Sequence, residues 1–307
     1  MIRYEWRTDL DAADAAQLRE VLLRAAAYDA EPEYNSIDPA DVERDLAPGS
    51  GVRHLVIWLE ARPRTLDGPD EPERVAGVVR LVDRGDGRAD GTIVIDPDLR
   101  SIGIVTLLLE REGVDASGPD GWLGSGFAGI RSWARGNHPA SGRIGDRNLL
   151  PRTRRVWKLV RPSVEVAAGD ADRVVDLGSD DAAAIEELLA SRVGHDRPAL
   201  DAEDRSVVGV RGEAGLSGLV EIDLRPVYVE EFGRCASAAL LAYSPSLTDA
   251  ECRAVLTDLL VGAGARAAQS GLDGLIAYVS SDDDALVAVS RRVGLQHDRT
   301  DVLYEIR

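Results

Sequence analysis

Apolar and polar positions change their spacing along the chain, and those changes delimit its elements. Over Asp11–Tyr28, Leu18, Val21, Leu22 and Ala25 recur at three- and four-residue steps behind an acidic start, which predicts an amphipathic helix. His54–Leu59 and Val75–Val82 are short β-rich runs separated by the polar, Pro/Gly-containing loop Arg62–Glu73, as expected of neighbouring antiparallel strands. Thr92–Ile95 predicts a third strand and Leu99–Glu112 a helix. The glycine-rich loop Gly113–Gly126 leads to a strand at Gly129–Ala134, a helix at Pro139–Leu149 and a strand at Arg154–Arg161.

After Pro162 the same order starts again. Ser179–Ser191 predicts a helix, then Ser206–Gly209, Leu216–Asp223 and Ala236–Tyr243 strands. Thr248–Gln269 predicts a helix, Leu275–Ser280 a strand, Asp282–Val293 a helix and Asp301–Ile306 a closing strand. Three blocks keep their order in both halves: Ile95–Arg100 with Tyr243–Thr248, Gly129–Ala134 with Gly274–Val279, and Trp157–Arg161 with Leu303–Arg307. The chain therefore reads as an internal duplication, with domains at residues 1–162 and 163–307. Its length of 307 residues fits two domains of ordinary size. The fold class is α+β, a mixed α/β pattern laid down twice.

Composition and charge narrow the functions. At 44% hydrophobic residues the chain can fill two cores, and no apolar run reaches the roughly 18–20 residues needed to cross a bilayer. The opening residues lack a basic start and an apolar core, so a cytoplasmic protein is expected. A net charge of −18 argues against nucleic acid and against anionic membrane surfaces as partners. It favours an amine or other cationic substrate, while still allowing an anion to bind where backbone N–H groups converge. Lysine occurs once, at Lys158, so arginine carries nearly all the positive charge. Cys235 and Cys252 have no metal-type spacing, and no metal is expected. His54, His195 and His297 are scattered, with no nucleophile or metal constellation around them. Neither a P-loop nor a dinucleotide fingerprint is present.

The stretch that carries chemistry runs from Ile93 to Glu110. A strand ends at Ile95, Asp96-Pro97-Asp98 turns the chain, and a helix begins near Ser101. Free N–H groups at a helix start form an anion cradle, Gly103 removes a side chain where a ligand would approach the backbone, and Arg100 brings a cation. Read locally, the same residues also suit an ordinary strand–turn–helix connection with one incidental glycine.

An Arg-x-x-Gly-x-[Gly/Ala] loop after an apolar-Asp-Pro turn resembles the acyl-CoA signature of the GNAT acetyltransferases. Here it reads Arg100-Ser101-Ile102-Gly103-Ile104-Val105, with valine where the family has glycine or alanine. Trp133–Ala140, Val156–Pro162 and the opening Trp6-Arg7 are similar to the mycothiol synthases, a group of tandem GNAT enzymes that acetylate the cysteinyl amine of the mycothiol precursor. The resemblance implies two GNAT folds in tandem, each a mixed, mostly antiparallel sheet flanked by helices, whose fourth and fifth strands splay to admit the pantetheine arm. It further implies acetyl-CoA (or another acyl-CoA) as co-substrate and a small-molecule amine as acceptor. The cofactor would lie on backbone groups of Ile93, Val94 and Ile95 and on the loop Arg100–Val105. Asn137 would stand near the cofactor arm, although Asn137-His138-Pro139 also reads as a helix entry.

In the resembling enzymes the second half is the expected catalytic one, and there this sequence departs most. Its loop, Leu247–Arg253, has Thr248 in place of arginine or glutamine and Glu251 in place of glycine; Asp283 and Ser290 stand where an asparagine and an acid-donating tyrosine recur. Candidate bases are Glu221 and Glu110, and Tyr304 is a candidate acid, though each also suits a structural role. Two functions follow: an N-acyltransferase of the GNAT class, or a tandem GNAT without turnover that binds acyl-CoA or serves as a scaffold.

Overall fold

A computed structural model describes residues 1–46, 50–61, 71–163, 173–190, 204–213 and 215–307. His195, the end of the expected helix at Ser191 and most of the Arg62–Glu73 loop lie outside them. The chain folds as two compact units. The first comprises Met1–Arg154 together with Asp301–Arg307, the second Arg155–Thr300.

In the first unit, β1 (Ile2–Arg7), α1 (Ala12–Asp29), α2 (Pro39–Asp45), β2 (Val52–Leu59), β3 (Arg74–Asp83) and β4 (Ala89–Ile95) precede α3 (Ile104–Glu112), β5 (Ile130–Ala134) and α4 (Pro139–Arg147). The sheet runs β1-β2-β3-β4-β5 and is completed by the last residues of the chain, Val302–Ile306, paired antiparallel to Ala134–Ile130. Alternation along the strands divides its two faces. Val56, Val78 and Val94 meet Leu18, Val21, Leu22 and Ala25 of α1. Leu55, Ile57, Val79 and Leu81 point the other way, onto Ile104, Leu108 and Leu109 of α3. Asp11 caps α1 by accepting from the Ala13 and Asp14 N–H groups at 2.9 and 2.8 Å.

The second unit contains β6 (Arg152–Pro162, from Arg155 on), β7 (Val174–Asp176), α5 (Ala182–Ala190), β8 (Arg205–Gly212), β9 (Gly215–Val229), β10 (Gly233–Tyr243), α6 (Asp249–Gln269), β11 (Gly274–Ser280), α7 (Asp284–Arg292) and the start of β12 (Gln296–Ile306). Its strand order is β6-β11-β10-β9-β8-β7. Cys252, Val255, Leu256, Leu259, Leu260 and Ala263 form a helical stripe that seats α6 on Val220, Ile222 and Ala236. Ile185 and Leu188 of α5 cover Leu219, Leu240 and Ala242 on the opposite face.

The compact units differ from the expected boundary between 162 and 163. The strand of Val156–Pro162 pairs with β11 of the second unit, and the final strand pairs with β5 of the first, so each half of the chain gives its last strand to the other half's sheet. Sequence order cannot show that trade, because the two strands occupy equivalent places in the repeat. The expected helix at Leu99–Glu112 also starts later. Pro97–Leu99 is one 3-10 turn, Arg100 is extended, and Ser101 and Gly103 are left-handed (φ 72° and 87°), so the α-helix begins at Ile104. β1, α2 and β7 were not expected, although Asp38-Pro39, a cap followed by proline, is a helix-start signal.

Removing residues 301–307 is expected to unfold the first unit selectively. Hydrogen exchange should accelerate across residues 1–154 and much less over β8–β11; uniform or absent acceleration would contradict the strand assignment. Within the same unit, a Cβ at Gly145 would lie 2.4 Å from the Tyr304 ring, whereas one at Gly264 of α6 meets nothing within 4 Å. Gly145→Ala should therefore destabilise by about 1–3 kcal/mol and Gly264→Ala stabilise by up to about 1 kcal/mol, read by denaturant titration.

Candidate functional site

The first unit's site begins where two strands part. β4 stays paired with β3 up to Gly77↔Ile95, but its parallel pairing with β5 covers only Ala89↔Ile130 and Asp90↔Arg131. Beyond Asp90 the β5-side edge of β4, to which Ile93 and Ile95 turn their backbone groups while Val94 turns its own to β3, has no strand against it among the described residues. Backbone donors and acceptors on that edge are available to an extended ligand arm.

At the open end of this gap lies the β4–α3 connection. The first N–H groups of α3 have no intrahelical acceptor, and among the described residues no side chain caps them, because the N-cap is Gly103. Left-handed residues at Ser101 and Gly103 flank Ile102, and the space around Gly103 is open. Uncapped amides, the helix dipole and an open approach fit a phosphate group. Val105, the departure from the family pattern, packs its side chain against the core under α3. The guanidinium of Arg100 does not face the gap as a free cation; it forms a bidentate pair with Asp29.

Asn137 is left-handed (φ 49°) and does not cap α4. His138 does, its Nδ1 accepting from the Ala140 N–H at 3.0 Å. Burial, seconded by the charge of Arg100, pushes the His138 pKa down, in keeping with a ring nitrogen that accepts. The turn before it is held by Asn35, which accepts from the Arg135 N–H, and by buried Asp301, which accepts from the Gly136 N–H and from Arg135.

Where β4 and β5 begin to part, Asp90 accepts from Arg131 at 2.9 and 3.0 Å. His54, Arg80 and Thr92 form a row across the α1 face of the sheet through direct pairing. Asp45, at the end of α2, accepts from Arg80 at 2.6 Å and lies 3.5 Å from the fully buried His54 Nε2. Sequence reasoning missed this group because its members come from three separate elements.

The second unit contains the matching parts, arranged differently. β10 pairs with β11 over Cys235–Ala238 and then leaves it, next to a bulge between Ala238 and Leu240. The start of α6 is occupied by its own side chains. Glu251 accepts from the Thr248 N–H at 2.8 Å, and Thr248 Oγ1 accepts from the Glu251 N–H, which is a complete capping box. Tyr243, ending β10, donates its hydroxyl to Asp283 at the start of α7.

The catalytic candidates Glu221, Tyr304 and Glu110 fall in different units. Glu221 is buried on β9, 2.5 Å from Arg205. Tyr304 is buried in the first unit, its ring against Gly145 and under Arg152. Glu110 is exposed and paired with Arg147. Ser290 is fully buried, its hydroxyl without a hydrogen-bond partner among the described residues. Lys158 is buried against Asp298, and burial pushes both cysteine thiols up. His297 is exposed, in contact with Thr300.

Two sheets of the same plan, each with a parallel strand pair that separates before a helix start, define the class: this is the tandem GNAT fold. A tandem GNAT protein from the clavulanic acid biosynthesis pathway matches it with a TM-score of 0.57 at 13% identity, over 99% of this chain and 98% of that one. A GCN5-related N-acetyltransferase from Sphaerobacter thermophilus matches with a TM-score of 0.54 at 13% identity, over 98% and 95%.

In sequence the chain resembles mycothiol acetyltransferases. That of Saccharomonospora viridis is 25% identical over 99% of both chains, and that of Paenarthrobacter aurescens 25% identical over 95% of this chain and 93% of its own. The Rhodococcus opacus protein is 31% identical over 51% of this chain and 44% of its own. No protein-family model matches the chain. No described helix is long and apolar enough to cross a membrane.

Burial, against the opposing pull of Asp45 and with help from Arg80, pushes the His54 pKa below its ordinary value. The unfolded chain therefore binds this proton first as pH falls. His54's contribution to stability is complete above about pH 6.5 and is lost below it, toward the folded pKa. His54→Gln should flatten the fall in Tm between about pH 7 and 5.5; an unchanged slope would place the pH sensitivity elsewhere.

Proposed function

We propose that the chain is an acyl-CoA-dependent N-acyltransferase that holds acyl-CoA in its first unit and acylates a small-molecule amine. The observation that carries this reading is the contrast between the two helix starts: α3 is uncapped and opens onto parted strands, whereas α6 is closed by its own Glu251. Acyl-CoA would supply the activated thioester. Amides of the α3 start and of the Ser101–Gly103 turn would take the pyrophosphate, and the free edge of Ile93–Ile95 would align the pantetheine arm, leaving proximity as the main source of acceleration. Similarity to mycothiol acetyltransferases along nearly the whole chain supports acetyl-CoA as donor and an amine as acceptor. Mycothiol synthesis itself is less well supported, because Asp283 and Ser290 stand at the second unit's acid-bearing positions.

One observation favours the rival reading, binding without turnover. Glu221 is claimed by Arg205 and so is not a free base, and Tyr304 is buried with its ring against Gly145 of α4. Calorimetry with acetyl-CoA, followed by a free-thiol assay over a panel of amines, separates the two. One equivalent bound per chain with amine-dependent thiol release supports the transferase; binding without release supports the rival, and no binding rejects both. Gly103→Glu, which puts a carboxylate at the cradle, should abolish binding. Gly103→Ala, which shares the strain at positive φ, serves as the control and should retain most of it.

A further inference from the structure

Two ion pairs tie the β4–α3 connection to α1. Arg100 donates to both oxygens of Asp29, the last residue of α1, at 2.6 and 2.7 Å, and Asp29 is only 3% exposed. Its Nε donates to the Ile95 carbonyl at 3.1 Å, and the Tyr28 ring lies 5.3 Å from the guanidinium carbon. One turn earlier, Arg24 of α1 donates to Asp96 at 2.6 Å, and the other oxygen of Asp96 accepts from the Asp98 N–H. The polarity is crossed: α1 supplies Arg24 and Asp29, and the connection supplies Asp96 and Arg100.

This arrangement commits all three nitrogens of the Arg100 guanidinium to groups within the unit. The fork that would grip a phosphate bidentately, the strongest kind of side-chain hydrogen bonding, is already taken by the Asp29 carboxylate, which leaves one N–H on each Nη. The residue that follows, Ser101, is a non-glycine held in the left-handed region, a conformation that persists only when its surroundings enforce it.

We infer that Arg100 is a positioning residue, latched by Asp29 so that backbone amides of the Ser101–Val105 segment bind the pyrophosphate while the guanidinium does not touch it. The inference rests on the acyl-CoA reading above. It makes Asp29 a determinant of cofactor affinity although it is a buried anion beside a polyanion site. Coulomb repulsion alone would have Asp29→Asn bind acyl-CoA more tightly; the latch requires weaker binding.

The test measures acetyl-CoA affinity of wild type and Asp29→Asn by calorimetry, with amide exchange of residues 101–105 followed in the ligand-free proteins. The expected result is a roughly tenfold loss of affinity with faster exchange confined to the loop. Equal or tighter binding by Asp29→Asn would overturn the inference. A crystal structure of wild type with coenzyme A tests it without any variant: Arg100 should remain on Asp29, and an Arg100 turned onto the pyrophosphate would also overturn it. Failure of wild type to bind acetyl-CoA would instead reject the acyl-CoA reading, and the latch's role in binding with it.

Discussion

A helix that starts at the end of a strand exposes N–H groups that its own turns cannot satisfy, and each unit must find acceptors for them. In the second unit the protein supplies one itself: Glu251 folds back onto Thr248 and closes the α6 start. In the first unit it supplies none among the described residues. Proline at 97, an extended Arg100 and two left-handed residues delay α3 until Gly103, which has no side chain to lend. The neighbouring features meet at this one exposed terminus: the strands part beside it, and the Asp29 and Asp96 pairs hold the connection that leads into it.

The two helix starts at equivalent places in the repeat therefore differ in what they leave exposed. At the second helix start a carboxylate replaces the glycine, acidic residues gather at Asp249, Glu251 and Asp282–Asp284, and Tyr243 reaches across from the end of β10 to Asp283. Each change suits local stability, since carboxylates are favourable at helix N-termini. Each also works against a polyphosphate. Glu221 with Arg205 and Lys158 with Asp298, in each case one buried charge and one partly exposed partner, show charge retained in this unit's interior with compensation.

Much of the fold was legible because the spacing of apolar residues is strong. The stripe Leu18-Val21-Leu22-Ala25, the strand blocks and their repetition all follow from it, and the loop at Arg100 could be found from type and spacing alone. What could not be read depends on distant partners. Arg100 looks like a cation awaiting an anion until Asp29, 71 residues away, is found beneath it. Asn137 is a better cap by propensity than His138, yet the left-handed turn at Asn137 puts the imidazole in the capping place. The Asp45–His54–Arg80 group joins a helix end to two strands, and no local pattern announces it. The exchange of final strands was hidden for a related reason, since both strands carry the same kind of sequence.

That exchange bears on how the protein is made. Synthesis runs from the N-terminus, and domains ordinarily fold as they emerge. Here the first unit's sheet ends at β5 until residues 301–307, made after the whole second unit, have left the ribosome. During that interval β5 is an open edge, with unpaired amides and apolar Ile130 and Ala134 exposed to any passing strand. The second unit has its borrowed strand from the outset, because β6 is translated before the rest of it. The part of the molecule made first is therefore finished only after the second unit, and the uncapped α3 start it carries belongs to a sheet that closes only when β12 has been made.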